Sequence, residues 1–273
     1  MAYDFEITRY TIRSEKLKQP VRALLLSDLH DTEHGPHNAL LLEACRELKP
    51  DLCLLAGDMI VGKARPHEEA VRVIRTLASD APVFFVNGNH ETQLREHFRS
   101  ADQIWRKQLE SSGAVVLNNR SVSCEIGGNP MRITGLELPE EKYRKFRIPS
   151  LSIEEMTGCA GRSGDAGPDA FSILLTHNPQ FGTLYFKWGA DLTVCGHFHG
   201  GMMRLFGNAV AISPYGFPLP RYGYGLYSRN GRHMIVTSGL GDHAIPLRIH
   251  NPEEIVSIDL IPESKGDLKR ARS

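Results

Sequence analysis

The chain of 273 residues lacks an excess of charge of either sign, since 32 Lys and Arg residues balance 32 Asp and Glu residues. Proteins that act on nucleic acid or on anionic membranes usually carry a basic excess. The sequence therefore gives no indication of a nucleic-acid partner. A nuclease, with its need to hold a polyanion, is disfavoured for the same reason.

Long hydrophobic runs are also missing. The longest apolar runs, such as Ala23–Leu26, have the length of a strand, whereas a helix that spans a membrane needs about 20 apolar residues. The first 18 residues carry charges throughout and contain no apolar segment of the kind found in secretory signals. We therefore predict a cytoplasmic protein with no membrane span.

Cysteines are few and do not form a recognisable pattern. There are five, an odd number, and no two of them form a C-x-x-C pair, so neither a disulfide framework nor a cysteine-rich zinc site is indicated. Cys45, Cys53 and Cys195 fall inside apolar segments, where a free cysteine behaves as a small hydrophobic residue. A reducing compartment fits this usage.

Strand-like and helix-like segments alternate through the first two thirds of the chain, and shorter strands separated by Asn, Gly and Pro turns follow. Predicted strands cover residues 21–26, 52–56, 83–86, 114–117, 122–126, 131–136, 171–176, 192–195, 234–237 and 255–260. Predicted helices cover residues 36–48, 67–78, 91–111 and 152–159. This order favours an α/β fold in which a two-layered sheet core is flanked by helices. We expect one domain over residues 1–273, with its core at about 20–262 and a charged tail at 263–273.

Five short polar segments stand directly after predicted strands. They are Asp28-Leu-His30, Gly57-Asp58, Gly88-Asn89-His90-Glu91, His177-Asn178-Pro179 and Gly196-His197-Phe-His199. In open α/β sheets, ligands bind at the carboxyl ends of the strands, where such loops collect. Asp, His and Asn donors without a thiolate suit Mn, Fe or Zn in a catalytic role. The segments together predict a site for a pair of metal ions.

Two further predictions concern the backbone conformation of these segments. In Asp28-x-His30 and His197-x-His199, an extended backbone would direct alternate side chains into one site. Glycines precede Asp58, Asn89 and His197 and would let the chain turn tightly near the ions.

The predicted site suits phosphoryl transfer. Two metal ions about 3.5–4 Å apart can clamp the attacking and leaving oxygens of an in-line displacement and lower the pKa of a water molecule. His90 follows Asn89 directly and is a candidate catalytic residue, either as proton donor to the leaving oxygen or as a group that stabilises transition-state charge.

The ordered set D-x-H, G-D, G-N-H-E, H and G-H-x-H resembles the calcineurin-like metallophosphoesterase superfamily. Residues 195–252 further resemble its bacterial YkuE/YaeI-like phosphodiesterase branch. The resemblance covers roughly residues 20–260 and implies a β-sandwich flanked by helices. It implies that Asp28, His30 and His199 hold one ion, that Asn89, His177 and His197 hold the other, that Asp58 bridges both, and that His90 acts on the substrate.

The chain departs from this family pattern at three positions. Val61 stands where many members have a second Asp that orients the catalytic His, so we expect His90 to lack that partner. Phe198 replaces the usual small residue of G-H-x-H, and Met202 replaces a frequent Gln. Both replacements predict a more apolar pocket wall.

Histidines and acids outside the metal set favour structural roles. We expect His34 and His37 on a loop surface and His67 and His97 on helix surfaces, and His243 is the best remaining functional candidate. Glu91 begins a predicted helix and is expected to serve its N-terminus.

The most specific functional hypothesis is hydrolysis of phosphodiester bonds by metal-activated water. Three alternatives remain open. The first two are a phosphomonoesterase and a pyrophosphate-cleaving hydrolase, for example of the UDP-acylglucosamine type. The third is a non-catalytic scaffold of the same fold. A phosphoester substrate and two divalent ions are expected, whereas the sequence does not distinguish among Mn, Fe and Zn.

Overall fold

A computed structural model describes residues 3–144, 149–201, 203–205, 208–210, 221–241 and 248–263, with backbone alone at 203–205 and 208–210. The expectations for Met202, for His243 and for the tail beyond residue 263 concern residues outside this described part.

Six strands form the first sheet. In sheet order they are β1 (Phe5–Ser14), β14 (Glu253–Pro262), β2 (Val21–Leu26), β3 (Leu52–Leu55), β4 (Val83–Phe85) and β5 (Val115–Val116). Strands β2 to β5 run parallel to one another, β14 runs antiparallel to β2, and β1 runs parallel to β14. The sheet is mixed, and its parallel half carries the predicted βαβ pattern.

Six strands also form the second sheet. In sheet order they are β12 (Gly225–Arg229), β13 (Arg232–Val236), β9 (Leu192–Cys195), β8 (Phe171–Thr176), β7 (Asn129–Leu136) and β6 (Arg120–Ile126). Its four central strands are parallel and its two outer strands are antiparallel to their neighbours. A separate hairpin is formed by β10 (Met203–Leu205) and β11 (Asn208–Val210).

Helices lie outside both sheets. They are α1 (Ala39–Glu47), α2 (Glu68–Asp80), α3 (Asn89–His97), α4 (Arg99–Glu110), α5 (Ile153–Ala160) and α6 (Gly182–Trp188). Short 3-10 turns cover Pro36–Asn38, Glu140–Tyr143, Ser163–Ala166 and Pro179–Phe181. No helix in the described ranges has the length and apolarity needed to cross a membrane.

Alternation along the strands explains how two sheets and two helical layers pack together. In β2, Ala23 and Leu25 face the second sheet, while Leu24 and Leu26 pack against helices α1, α2 and α4. The outer face of the second sheet packs against α5 and α6 through residues such as Leu174. Successive side chains of a strand point to opposite faces, so strands apolar at every position serve two cores at once. The predicted α/β fold, a two-sheet sandwich flanked by helices, is confirmed.

The structure differs from the predicted elements at several places. Helix α6, strand β12 and the hairpin of β10 and β11 had no predicted counterpart, and α1 begins three residues later than predicted. The single helix expected at 91–111 is two helices, α3 and α4, because Phe98 leaves the helical region with φ −137° and ψ 60°. No Gly or Pro marks this break in the sequence. Strand β1 begins well before residue 20 and pairs with β14 over its whole length. This strand was not predicted because its outward positions carry charged residues, although Phe5 and Ile12 are buried.

The packing between the sheets generates the first prediction. Leu54 of β3 is buried in the core between the two sheets, so Leu54→Ala should lower the free energy of unfolding by about 2–5 kcal/mol through lost burial and the cavity left behind. Leu226 of β12 is 39% exposed, and the same truncation there should cost within about 0.5 kcal/mol. Urea unfolding followed by circular dichroism measures both, and equal losses in the two variants would contradict the packing described.

Candidate metal centre

The five polar segments lie together at the carboxyl ends of strands from both sheets. Asp28 and His30 follow β2, Asp58 follows β3, and Asn89 and His90 follow β4. The second sheet contributes His177 after β8 and the pair His197 and His199 after β9. All eight predicted site residues are therefore brought to one place, where the open ends of the two sheets meet.

The backbone in these segments is left-handed rather than extended, which corrects the expectation for the two alternating pairs. Positive φ occurs at five of the seven predicted ligands, namely Asp28 (54°), His30 (50°), Asp58 (52°), His197 (73°) and His199 (46°). Each such non-glycine residue costs on the order of 1 kcal/mol or more, and such strain concentrates at functional sites. The chain curls immediately after each strand and so turns both members of a pair inward.

Asp28, His30 and His199 form a compact group of ligand atoms. His199 Nε2 lies 3.2 Å from Asp28 Oδ1 and 3.2 Å from His30 Nε2. His199 Nδ1 lies 3.0 Å from the carbonyl oxygen of Gly241 and 3.3 Å from Arg248 Nη2, and its Nε2 points at the carboxylate. A cation between these atoms would contact all three side chains.

Asp58, His177 and His197 form a second group, and Asn89 lies between Gly88 and His90, both of which contact Asp58. His177 Nδ1 donates to the carbonyl of Ala56 at 2.6 Å and turns Nε2 toward Asp58 Oδ2, 3.1 Å away. Asn89 Oδ1 is buried and has no hydrogen-bond partner among the described residues. Buried polar atoms are normally satisfied, so the donor set fits a bound metal ion.

The charges of the two groups are strongly coupled. Although burial opposes it, the carboxylates of Asp58 and Asp28 raise the pKa of His177 to about 9. Burial lowers the pKa of His30 to about 4, and burial together with His177 holds the pKa of His197 well below its usual range. Neutral imidazole is the form that binds metals, and the protein already holds two of these rings neutral.

The loop that carries Asp58 is held by Glu91. The Glu91 carboxylate is buried and accepts the N–H groups of Gly88 (2.8 Å), Asp58 (2.9 Å) and Met59 (2.9 Å). These donors favour the charged form, against burial and the charge of Asp58, which raise the pKa of Glu91 to about 8. Glu91 serves the N-terminus of α3 as expected, and it also joins that helix to the Asp58 loop.

Glycines allow these loops to touch. A Cβ on Gly88 would lie 2.2 Å from Asp58 Oδ1, and a Cβ on Gly196 would lie 2.3 Å from Asp28 Oδ2. Gly57 has φ 81° and lies against the backbone of Gly88. Close approach of backbone to carboxylate, more than turn conformation, requires glycine before Asn89 and His197.

His90 has a backbone partner in place of the expected carboxylate. The N–H of Gly62 donates to His90 Nδ1 at 2.8 Å, and His90 Nε2 lies 3.9 Å from Asp58 Oδ2. Val61, which stands at the departure noted in the sequence, donates its N–H to Asp31 Oδ2 at 3.1 Å. No sequence motif identified Gly62 or Asp31 as functional, because each contacts a residue about thirty positions away in the chain.

Two histidines expected on surfaces are buried. His67 is 3% exposed and its Nδ1 donates to Asp31 at 2.9 Å, and His34 is 3% exposed and bonds the carbonyl of Leu240 at 2.7 Å. Both were misjudged because each finds a buried oxygen that the local sequence does not reveal. His97 is exposed as expected, with an ion pair to Glu140 at 3.2 Å.

The G-H-x-H turn is held by side-chain contacts that no sequence motif indicated. Asn251 Nδ2 donates to the carbonyls of His199 and Gly201, each at 2.6 Å. Phe198 is 1% exposed, and its ring lies 5.4 Å from that of His197. Phe198 therefore supports a predicted ligand and offers almost no surface to a pocket, contrary to the apolar wall expected of it.

Residues 21–201, most of the region that supplies the site, match the family model for calcineurin-like phosphoesterases. The chain belongs to the calcineurin-like phosphoesterase family. The resemblance inferred from the five segments is thereby confirmed. Calcineurin-like phosphoesterases hydrolyse phosphoric esters and depend on metal ions, which agrees with the candidate metal-binding groups.

Individual relatives agree with this membership. The chain is 25% identical over 264 residues to YkuE of Bacillus subtilis, an uncharacterized metallophosphoesterase, covering 93% of this chain and 85% of that one. It is 27% identical over 270 residues to phosphodiesterase YaeI of Escherichia coli, covering 94% and 88%. The structure of NAD nucleotidase from Haemophilus influenzae aligns with a TM-score of 0.50 at 17% identity, over 82% of this chain and 46% of that one. This last likeness concerns the fold alone.

The close approach of Gly88 to Asp58 generates the second prediction for this calcineurin-like phosphoesterase. Gly88→Ala should displace the Asp58 carboxylate, because the new methyl group would occupy its place, and the purified variant should retain less than about one tenth of the wild-type metal. Inductively coupled plasma mass spectrometry measures the metal content.

Gly158 of α5 provides the matched control for this substitution. A Cβ there would meet nothing within 4 Å, so Gly158→Ala should bind metal as the wild type does and gain a few tenths of a kcal/mol or more in stability. Wild-type metal content in Gly88→Ala would show that the carboxylate does not need this glycine.

Proposed function

We propose that this protein is a dinuclear metal-dependent phosphodiesterase. The observation that carries the proposal is the convergence of two groups of ligand atoms on Asp58 and Asp28, with the Nε2 atoms of His177 and His199 lying 3.1 Å and 3.2 Å from the carboxylate oxygens. Carboxylates buried this deeply require compensating positive charge, and without metal they raise the pKa of His177 so that this ring holds a proton. Binding of cations by this donor set would supply that charge.

The proposed ligand assignment is the one that the resemblance implies, and the two groups of ligand atoms support it. Asp28, His30 and His199 would hold one ion, Asn89, His177 and His197 the other, and Asp58 would bridge both. Two divalent ions supply Lewis acidity that lowers the pKa of water and neutralises charge on a phosphoryl group. Oxygen and imidazole donors suit Mn, Fe or Zn, and we propose a pair drawn from these.

The chain's own residues position and polarise the substrate. His90 is about one third exposed at its side chain and lies against His30, with ring centroids 4.6 Å apart. Its Nδ1 accepts from Gly62, so the neutral ring carries its proton on Nε2, the atom nearer Asp58. We propose that this N–H stabilises the departing oxygen or delivers its proton to it.

A diester rather than a monoester is proposed because phosphodiesterase YaeI is among the relatives that match most of the chain. The activity of the purified protein on bis-p-nitrophenyl phosphate and on p-nitrophenyl phosphate tests this choice. With Mn²⁺, Fe²⁺, Co²⁺ or Zn²⁺ added singly, we expect kcat/KM for the diester to exceed that for the monoester by about tenfold or more, a difference of about 1.4 kcal/mol in transition-state binding. The reverse order would indicate a phosphomonoesterase. Absence of both activities in a metal-loaded protein would favour a scaffold.

Two substitutions separate metal binding from substrate chemistry. Asp58→Asn should abolish turnover and weaken metal loading, since the bridging charge is lost. His90→Asn should keep its metal and lower kcat by about 10²–10⁴-fold, the usual contribution of a positioned proton donor.

Metal content and steady-state kinetics of the two variants check these outcomes. A His90→Asn enzyme with wild-type kcat would remove His90 from the proposed mechanism and leave the metal assignment standing. A turnover-competent Asp58→Asn enzyme would overturn the bridging role.

A further inference from the structure

Two successive peptide units beside the site are held by side chains of other loops. Val61 and Gly62 follow the Asp58 loop, and their successive N–H groups donate to different side chains. Val61 N–H donates to Asp31 Oδ2 at 3.1 Å, and Gly62 N–H donates to His90 Nδ1 at 2.8 Å. Because the two peptide units share the Cα of Val61, the contact that holds the Val61 N–H restrains the position from which the next N–H points.

The Asp31 carboxylate accepts hydrogen bonds from several neighbouring groups. Its side chain is 7% exposed and accepts from His67 Nδ1 at 2.9 Å and 3.1 Å and from Arg65 at 3.0 Å, besides Val61. His67 is itself buried and lies edge-on to Trp105. A carboxylate with this many donors in a dry environment has one low-energy position.

Asp31 is also tied to the loops that carry the predicted ligands. It follows His30 directly, and its own N–H donates to the carbonyl of Met59 at 3.1 Å, parallel to the bond from His30 N–H to the Asp58 carbonyl at 3.1 Å. The loop after β2 and the loop after β3 are thus joined by successive hydrogen bonds, of which the bond from Val61 N–H to the Asp31 carboxylate is the last. The next N–H along the chain, that of Gly62, donates to His90.

The contact at His90 determines which ring nitrogen carries the proton. An N–H donor at 2.8 Å requires a lone pair on Nδ1, so the neutral imidazole has its hydrogen on Nε2. A carboxylate at the same place would accept from Nδ1 and require the opposite tautomer. The backbone amide thus presents an N–H, rather than a lone pair, to the centre of the site.

We propose that Asp31 is a positioning residue that restrains Val61, and through it the N–H of Gly62, to hold His90 as the Nε2–H tautomer, aimed into the metal centre. The catalytic meaning of this arrangement rests on the proposed function, whereas the tautomer is a property of the folded chain and can be measured without turnover. Asp31 itself does not touch the substrate.

The test compares Asp31→Ala, Asp31→Asn and Asp51→Ala. Asp51 is the matched control, because its carboxylate also accepts a backbone N–H, that of Arg22 at 2.7 Å, and lies at the opposite end of β2. Histidine rings are labelled with ¹⁵N, and His90 is assigned from the signal that disappears in His90→Asn. Spectra are recorded on protein treated with chelator and again after addition of Zn²⁺, which is diamagnetic.

In the wild type and in Asp51→Ala we expect an unprotonated Nδ1 and a protonated Nε2 at His90. Asp31→Ala should show mixed tautomers at His90, and Asp31→Asn, which keeps one acceptor oxygen, should lie between these states. If Asp31→Ala does not fold, as judged by its melting curve, Asp31→Asn carries the comparison. A pure Nε2–H tautomer in every folded Asp31 variant would overturn the proposal.

Kinetics on bis-p-nitrophenyl phosphate provide the second readout. Asp31→Ala should lower kcat by about tenfold or more with KM within about twofold and metal content unchanged, the pattern of a group that acts in the transition state. An inert wild-type protein with the expected tautomer shift would refute the proposed function and support the positioning role. If the wild type is active but substitution of Asp31 changes neither the tautomer of His90 nor kcat, the proposed function is supported and the positioning role is refuted.

Discussion

Two buried carboxylates, Asp28 and Asp58, impose the constraint on which the rest of the site depends. Both are almost fully buried, and a buried charge without partners costs several kcal/mol. Backbone donors offset part of this cost, since His197 N–H donates to Asp28 at 3.1 Å and His90 N–H donates to Asp58 at 2.8 Å. The remaining positive charge is supplied by His177, whose pKa the two carboxylates raise, or in the proposed enzyme by two metal ions.

This electrostatic requirement explains the unusual backbone around the site. Loops from two sheets have to approach within hydrogen-bond distance, so the chain adopts left-handed conformations at five predicted ligands and places glycine where a methyl group would strike a carboxylate. Glu91 binds the loops of β3 and β4 together, and Asn251 closes the turn after β9. Strain of this kind persists only where surrounding contacts over-determine the structure.

Much of the fold and the principal site residues followed from local sequence patterns. Continuous apolar runs marked the buried strands, and a polar residue directly after each run marked the carboxyl end of the sheet. The remainder depended on contacts with no local signature. His67 reads as a helix-surface residue, yet it is buried against Asp31. Phe98 interrupts a helix without Gly or Pro, and β1 carries too many charges to be recognised as a strand.

The sequence by itself determined the chemical inventory: carboxylates, imidazoles and one amide at strand ends, in an order typical of calcineurin-like phosphoesterases. Only the tertiary structure decided how His90 is presented. At Val61 the sequence indicated a missing carboxylate, and the fold placed a backbone N–H, that of Gly62, against the ring instead. The reason is physical, because side-chain identity is encoded residue by residue, whereas the direction of a backbone N–H is set by long-range packing that no motif records.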